Sequence, residues 1–209
     1  SGDTARLRQG WQCRIGIVIV DIRGFTGHAE RLEPPAITAL LESFRGIVID
    51  TTRAYGGIVD KFVGDNAIIV MGVPDARPDD AARTLACSRE LLQRFAAWSD
   101  STAAALLDGE PLRVGIGAHF GEAFVGAVGT AERLEFTVLG DTVNVASRLE
   151  QLTRETDGGL IASAPLLVAA GEPPGSGPPI PGGWQARGGS TIRGRREPID
   201  SFLWQPPGR

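Results

Sequence analysis

Lysine is almost missing from this chain of 209 residues: of its 21 basic residues only Lys61 is a lysine, and the rest are arginine. A base-composition bias toward Arg, Ala, Gly and Pro accounts for the arginines. The surviving ammonium then marks a candidate chemical requirement, because a forked guanidinium differs from it in geometry and hydration. An excess of positive charge is missing as well. With 25 acidic residues, a net charge of −4 and 6% aromatics, the chain lacks the basic surface and stacking groups by which nucleic acids are held. Long apolar runs are absent. The longest, Ile15–Val20, is interrupted by Gly16 and falls far short of the ~20 residues of a membrane span. No leader pattern opens the sequence.

Chemistry-bearing residues are equally sparse. Cys13 and Cys87 are isolated, without metal-ligand spacing, which reads as two packing thiols in a reducing, cytoplasmic setting. His28 and His119 are isolated too, so no paired imidazoles suggest a soft-metal site. A Walker A loop is excluded, because the one lysine follows Asp60 and not a glycine. The run Gly115-Ile116-Gly117-Ala118-His119-Phe120-Gly121 has the wrong spacing for a dinucleotide fingerprint and lies inside a strand pattern.

What is present alternates between strand and helix. Arg14–Val20 reads as a strand ending in Asp21. Ile37, Leu40, Leu41, Phe44, Ile47, Val48 and Thr51 repeat at helical spacing, opened by Pro34-Pro35 and closed by Tyr55-Gly56-Gly57. Ile58–Val63 and Ala67–Met71 flank Gly64-Asp65-Asn66 as a tight hairpin. Asp79 or Asp80 caps a second helix continuing to about Trp98. Leu112–Phe120, Glu122–Val128 and Phe136–Leu139 read as strands, followed by a helix over Asp141–Arg154 and short strands at Leu160–Ala162 and Ile199–Trp204. Thirteen of the 24 residues in 171–194 are Gly or Pro, which predicts a loop with little regular structure. Residues 1–12 read as a linker tail, 13–205 as one domain and 206–209 as a tail. The order β-α-β-β-α-β with additions is the split βαβ, ferredoxin-like pattern of an α+β fold.

Two pairs of residues stand out. Asp21 ends the first strand and Asp65 sits at the hairpin tip, and in a ferredoxin-like sheet these neighbours reach one edge. Close carboxylates without thiols or paired histidines favour Mg2+ or Mn2+, and two such ions suit in-line displacement at phosphorus. Two turn aspartates satisfying local amides would look the same, and the residues alone leave both readings open. Asn144 and Arg148, four apart, share one helix face. They suit a sugar oxygen and a phosphoryl group. Spacing alone favours the plainer alternative, a solvated face with an Arg148–Glu150 or Arg148–Asp141 pair.

Four segments, in order and in register, resemble the catalytic domain of class III adenylyl cyclases. They are Val20-Asp21-Ile22-Arg23-Gly24-Phe25-Thr26, Asp60-Lys61-Phe62-Val63-Gly64-Asp65, Leu112-Arg113-Val114-Gly115-Ile116, and the stretch from Phe136 through Gly140-Asp141-Thr142-Val143-Asn144 to Arg148-Leu149. The resemblance covers residues 14–170, with a weaker echo near 192–204. It implies the class III cyclase fold, ATP as substrate, cyclic AMP and pyrophosphate as products, and a homodimer with active sites at its interface. Asp21 and Asp65, with the carbonyl of Ile22, would hold two Mg2+ or Mn2+ ions. Backbone amides of Gly24, Phe25 and Thr26, together with Arg113, would meet the phosphates. Lys61 and Thr137 would read adenine, Asn144 would position the ribose, and Arg148 would stabilise the transition state.

The pairing of Lys61 with Thr137 resembles a subgroup of bacterial and soluble bicarbonate-responsive cyclases, which makes bicarbonate or carbon dioxide a candidate effector. An upstream sensor, or a membrane domain in the full-length protein, is the expected source of regulation. The chain departs from the family near its C-terminus. Where a Lys-Gly pair commonly serves the triphosphate, this sequence has Ile192-Arg193-Gly194-Arg195, so Arg193 is the matching residue with a different reach. The alternatives are a catalytically inactive, nucleotide-binding regulatory homologue or a guanylyl cyclase. A diguanylate cyclase is disfavoured because Gly56-Gly57 is followed by Ile58-Val59 and not by an acidic pair.

Overall fold

Alternation along the first strand decides the layering. In β1 (Trp11–Ile22), Val18, Val20 and Ile22 turn to one face while Ile15, Ile17 and Ile19 turn to the other, so both faces of the strand are buried. The computed structural model describes residues 9–107, 109–129, 134–156, 158–173, 182–190 and 198–206. After β1 come α1 (Phe25–Ala29), α2 (Pro34–Ala54), β2 (Ile58–Val63), β3 (Asn66–Met71), α3 (Asp80–Leu106), β4 (Val114–Gly129) and β5 (Leu134–Leu139). There follow α4 (Asp141–Leu152), a 3-10 turn (Thr153–Thr156), β6 (Gly159–Ser163), α5 (Ala164–Ala169), β7 (Trp184–Ser190) and β8 (Ile199–Trp204). The expected β-α-β-β-α-β core is β1-α2-β2-β3-α3-β4. Its sheet has the order β2-β3-β1-β4-β6-β8-β7, with β5 paired to β4.

The helices α2 and α3 cover the face carrying Val18 and Val20. Leu40, Phe44 and Val48 of α2 meet Leu85, Leu91 and Phe95 of α3 there, and the rings of Phe44 and Phe95 stack with centroids 5.3 Å apart. Each such buried ring contributes about 2 kcal/mol of transfer free energy. Cys87 is a buried free thiol in this core, its pKa pushed up to about 12 chiefly by burial, which fits a packing role. The opposite face carries α4, whose Val145, Ala146 and Leu149 face the sheet.

Four expectations are corrected. The strands expected over Leu112–Phe120 and Glu122–Val128 are one continuous strand, because Gly121 does not break β4. β1 pairs with β4 from Ile22↔Val114 to Trp11↔Val125. The far edge of β4 is shared, its first half with β6 in parallel and its second half with β5. The loop expected over 171–194 contains β7, where a glycine-rich segment is held as a strand by pairing with β8. The first strand, expected from Arg14, starts at Trp11, inside the segment read as a tail. The helix expected over Asp141–Arg154 leaves α-geometry after Leu152 and ends in the 3-10 turn. In addition, α3 runs eight residues beyond Trp98, to Leu106, and α1 and α5 carried no clear periodic signal.

The rejected glycine run has a packing role. Gly115, Gly117 and Gly121 alternate on the α4 side of β4. A Cβ on Gly117 would lie 2.2 Å from the Ala146 carbonyl oxygen and 2.2 Å from the Glu150 nitrogen. The helix therefore closes on the sheet at near-backbone contact, as only glycine allows.

Candidate active site

The end of β1 is pinned from both sides. The amide of Ile22 donates to the Asp65 carbonyl (3.3 Å) and that of Arg23 to the Arg113 carbonyl (2.7 Å). The sequence-predicted residues Asp21, Ile22, Asp65 and Arg113 are thus brought to one end of the sheet. Gly24 turns there in the left-handed region (φ 68°), and Phe25 and Thr26 begin α1 directly after it. Beside this turn is a cleft of about 290 Å3 lined by Arg23, Gly24, His28, Pro111 and Arg113.

Negative charge accumulates at Asp21. Its pKa is raised to about 6, first by burial and then by the carboxylates of Glu150 and Asp65, against the lowering effect of Arg23 and Arg154. A half-buried carboxylate held among other carboxylates fits a divalent cation, which would reverse that penalty. Among the described residues no group of three or more His, Cys, Asp or Glu side chains forms a closed metal cage. Two carboxylates and a carbonyl make an open donor set, leaving positions for substrate oxygens.

Sequence reasoning missed the partner of Asp21. Arg23 donates to Asp21 (3.1 Å), to the Glu150 carboxylate (2.5 Å), to the Glu150 carbonyl (2.8 Å) and to the Thr153 hydroxyl. Room for the guanidinium exists because Gly115, directly opposite Asp21, has no side chain; a Cβ there would stand 1.7 Å from it. Glu150 is therefore turned inward toward β1, which removes the Arg148–Glu150 surface pair weighed from spacing. The only sequence signal was an acidic residue on the apolar stripe of α4.

The remaining predicted residues lie elsewhere. Lys61 is exposed on β2, its ammonium 3.3 Å from the buried Asp60 carboxylate. The pairing shifts between Val59 and Lys61, so Asp60 forms a bulge. Val59 and Phe62 pack into the α2/α3 core and Lys61 stands opposite Ile68, on the α4 side of the sheet. Strict alternation through Asp60, with no bulge, would turn Lys61 to the α2/α3 face instead. Asn144 and Arg148 are exposed on the outer face of α4. Thr137 is part-buried on β5 between Phe136 and Val138, which pack into the core. It pairs with Gly126, whereas Asp21 pairs with Gly115. Eleven residues of β4 separate those two positions, about 35 Å of strand. Arg193 lies outside the described residues.

Residues 10–159 match the family described as the adenylate and guanylate cyclase catalytic domain. An uncharacterized protein of Mycobacterium tuberculosis strain H37Rv is 34% identical over 164 residues, covering 78% of this chain and 28% of that protein. Adenylate cyclase 1 of Rhizobium meliloti is 30% identical over 161 residues, covering 77% of this chain and 24% of that protein. The chain thus spans about a quarter of the length of these relatives. Among solved structures, a guanylyl cyclase superposes with a TM-score of 0.78 at 29% identity, covering 96% of this chain and 95% of that one. The adenylyl cyclase CyaB from P. aeruginosa superposes with a TM-score of 0.81 at 24% identity, covering 96% and 97%. The α+β fold is the class III cyclase fold, and the chain belongs to the adenylate and guanylate cyclase catalytic-domain family.

Proposed function

We propose that this domain is an adenylyl cyclase that works as a homodimer, with two composite sites at the interface of the two copies. The observation that carries this reading is the separation of the half-sites. Asp21, Asp65 and Arg113 gather at one end of the sheet, while Thr137 sits opposite Gly126 near the other. Antiparallel pairing of two copies sets the carboxylate end of each against the Thr137 end of the other and completes two sites. Exposed Val63, Phe124 and Leu139 supply apolar surface for such a contact.

In this reading the ribose 3′-oxygen attacks the α-phosphorus. The new O–P bond forms as the bond to the β-phosphate breaks, pyrophosphate leaves, and the hydroxyl proton passes to solvent. Asp21, Asp65 and the Ile22 carbonyl would hold two Mg2+ or Mn2+ ions, which would supply charge neutralisation and a lowered hydroxyl pKa. Arg148 meets the charge that develops on the phosphoryl oxygens, a contribution whose loss costs about 10²–10³-fold in rate. Asn144 orients the ribose. Arg113 and the backbone of Gly24, Phe25 and Thr26 hold the phosphates, with Arg193 joining them on the strength of the resemblance.

Substrate choice rests on Lys61 and Thr137. The ammonium donates to N1 of adenine, an acceptor, and the threonine hydroxyl accepts from the exocyclic amine. Guanine presents N–H donors where Lys61 also donates, which leaves buried donors unmatched. ATP is therefore the favoured nucleotide. Bicarbonate remains a candidate effector, and regulation by a sensor or membrane segment belongs to the rest of the protein. Among the described residues no helix is long and apolar enough to cross a membrane. Purified domain with Mn2+ and either ATP or GTP tests the reading. Cyclic AMP formed in preference to cyclic GMP supports it, and no cyclic nucleotide at any protein concentration contradicts it.

A further inference from the structure

His28 lies outside the four segments that carry the resemblance, yet it lines the cleft beside the Asp21 end of β1. Its side chain is only 13% exposed. The ring folds back over the preceding turn, so that Nε2 stands 3.8 Å from where a Cβ on Gly24 would be. Nδ1 lies 3.1 Å from a terminal nitrogen of Arg31 and 3.8 Å from the Glu110 carboxylate. Arg31 in turn holds Glu110 through both its terminal nitrogens, at 3.0 and 2.5 Å, and reaches the Gly27 carbonyl through Nε at 3.3 Å.

This arrangement fixes the tautomer. A guanidinium can only donate, so Nδ1 accepts from Arg31, and the proton of the neutral imidazole sits on Nε2. Glu110 is occupied by Arg31, which holds its carboxyl below the usual range and keeps it an anion. Nε2, on the Gly24 side of the ring where Gly24 also lines the cleft, is therefore a donor, and the ring is oriented through Nδ1 by an ion pair. Arg113 lines the same cleft, and Gly24 leaves it open on the turn side. A space of about 290 Å3 lined by His28 and Arg113 suits a ligand with several anionic oxygens and no donors of its own.

We propose that His28 is a phosphate-contacting residue, its Nε2–H donating to the terminal phosphates of the nucleoside triphosphate and to the pyrophosphate that leaves. The inference deepens the cyclase reading and rests on it for the identity of the triphosphate. Arg31 and Glu110 are positioning residues that act through the imidazole. The contact exists in the ground state and persists in the transition state, so its loss falls on KM and leaves kcat largely in place.

The test compares wild type, H28L and H28Q with Mn2+ and ATP, and titrates each with inorganic pyrophosphate by calorimetry in the presence of Mn2+. H28L is expected to raise KM about three- to tenfold, the effect of one lost neutral hydrogen bond. Pyrophosphate affinity should fall by a similar factor. H28Q, which keeps an N–H at comparable reach, should recover most of both losses. Unchanged pyrophosphate affinity in H28L, or H28Q as impaired as H28L, overturns the proposal. The calorimetric arm needs no turnover. A wild type that binds pyrophosphate through His28 but makes no cyclic nucleotide would therefore sink the cyclase reading and leave the phosphate contact standing.

Discussion

Arg23 joins Asp21 to Glu150: one guanidinium lies 3.1 Å from the first carboxylate and 2.5 Å from the second. It thereby ties the end of β1 to the last turn of α4, the helix that carries Asn144 and Arg148. Both flanking side chains are largely shielded, with Glu150 only 5% exposed. Removing the cation alone leaves an inward-facing carboxylate beside a second one. R23A is expected to destabilise the domain by about 3 kcal/mol, as for other broken buried pairs. The double variant R23A/E150A should be less destabilised than the sum of the single variants. Urea denaturation of the three variants checks this, and strict additivity would mean that the pair does not interact.

Asp21 predicts the opposite sign. Its pKa is about 6 in the folded chain against 3.8 for an unperturbed aspartate, so between those values the folded state binds more protons than the unfolded state. The stability this group contributes is fully present below about pH 4 and is lost as pH rises through about 6. D21N removes a charge that burial disfavours, together with its repulsion from Glu150 and Asp65. In EDTA it should raise Tm at pH 7 to 8 and flatten the fall of Tm between pH 4 and 6, while abolishing turnover with Mn2+. A lower Tm at pH 7 would show that Asp21 is not under electrostatic strain.

Much of the fold was legible because its signals are local. The β-branched apolar run of Ile15–Val20, the helical spacing from Ile37 to Thr51 and the Gly64-Asp65-Asn66 turn each specify an element without reference to the rest of the chain. What sequence did not reveal depends on distant partners. Gly121 looks like a strand break until β1 is seen pairing along the whole of β4. The strand Trp184–Ser190 has little intrinsic preference for extended structure, and its pairing with β8 holds it. Within the candidate site, Asp21 and Asp65 were legible as carboxylates at the ends of neighbouring elements, whereas the roles of Lys61, Asn144 and Arg148 were marked only by the family resemblance. The bulge at Asp60 and the Arg23–Glu150 bridge were not, since both arise from how separate segments meet.

Close approach between α4 and β4 makes Gly117 a sensitive position. A methyl group there would collide with backbone atoms of Ala146 and Glu150, neither of which can rotate away. G117A is expected to cost about 2 kcal/mol as an overpacked contact. It should also lower kcat at least tenfold by displacing Asn144 and Arg148. Thermal melts and steady-state rates measured together check this. A variant with wild-type stability and rate would place α4 farther from the sheet.

Base recognition by Lys61 and Thr137 is testable by exchange. K61E with T137C replaces a donor with an acceptor at the purine edge. The ratio of kcat/KM for ATP over GTP should fall at least tenfold, since an unmatched hydrogen-bonding group is costly when buried. An unchanged ratio would remove both residues from base recognition.

The central claim is that each site is assembled from two copies of the chain. D65A lacks a metal carboxylate and R148A lacks the transition-state cation, so each alone should form cyclic AMP from ATP and Mn2+ at less than about 1% of the wild-type rate. Mixed in equal amounts, they should regain activity, because a mixed dimer contains one site built from intact Asp65 of one copy and intact Arg148 of the other. Rates near zero in the mixture, with wild type active alongside, would contradict the shared site.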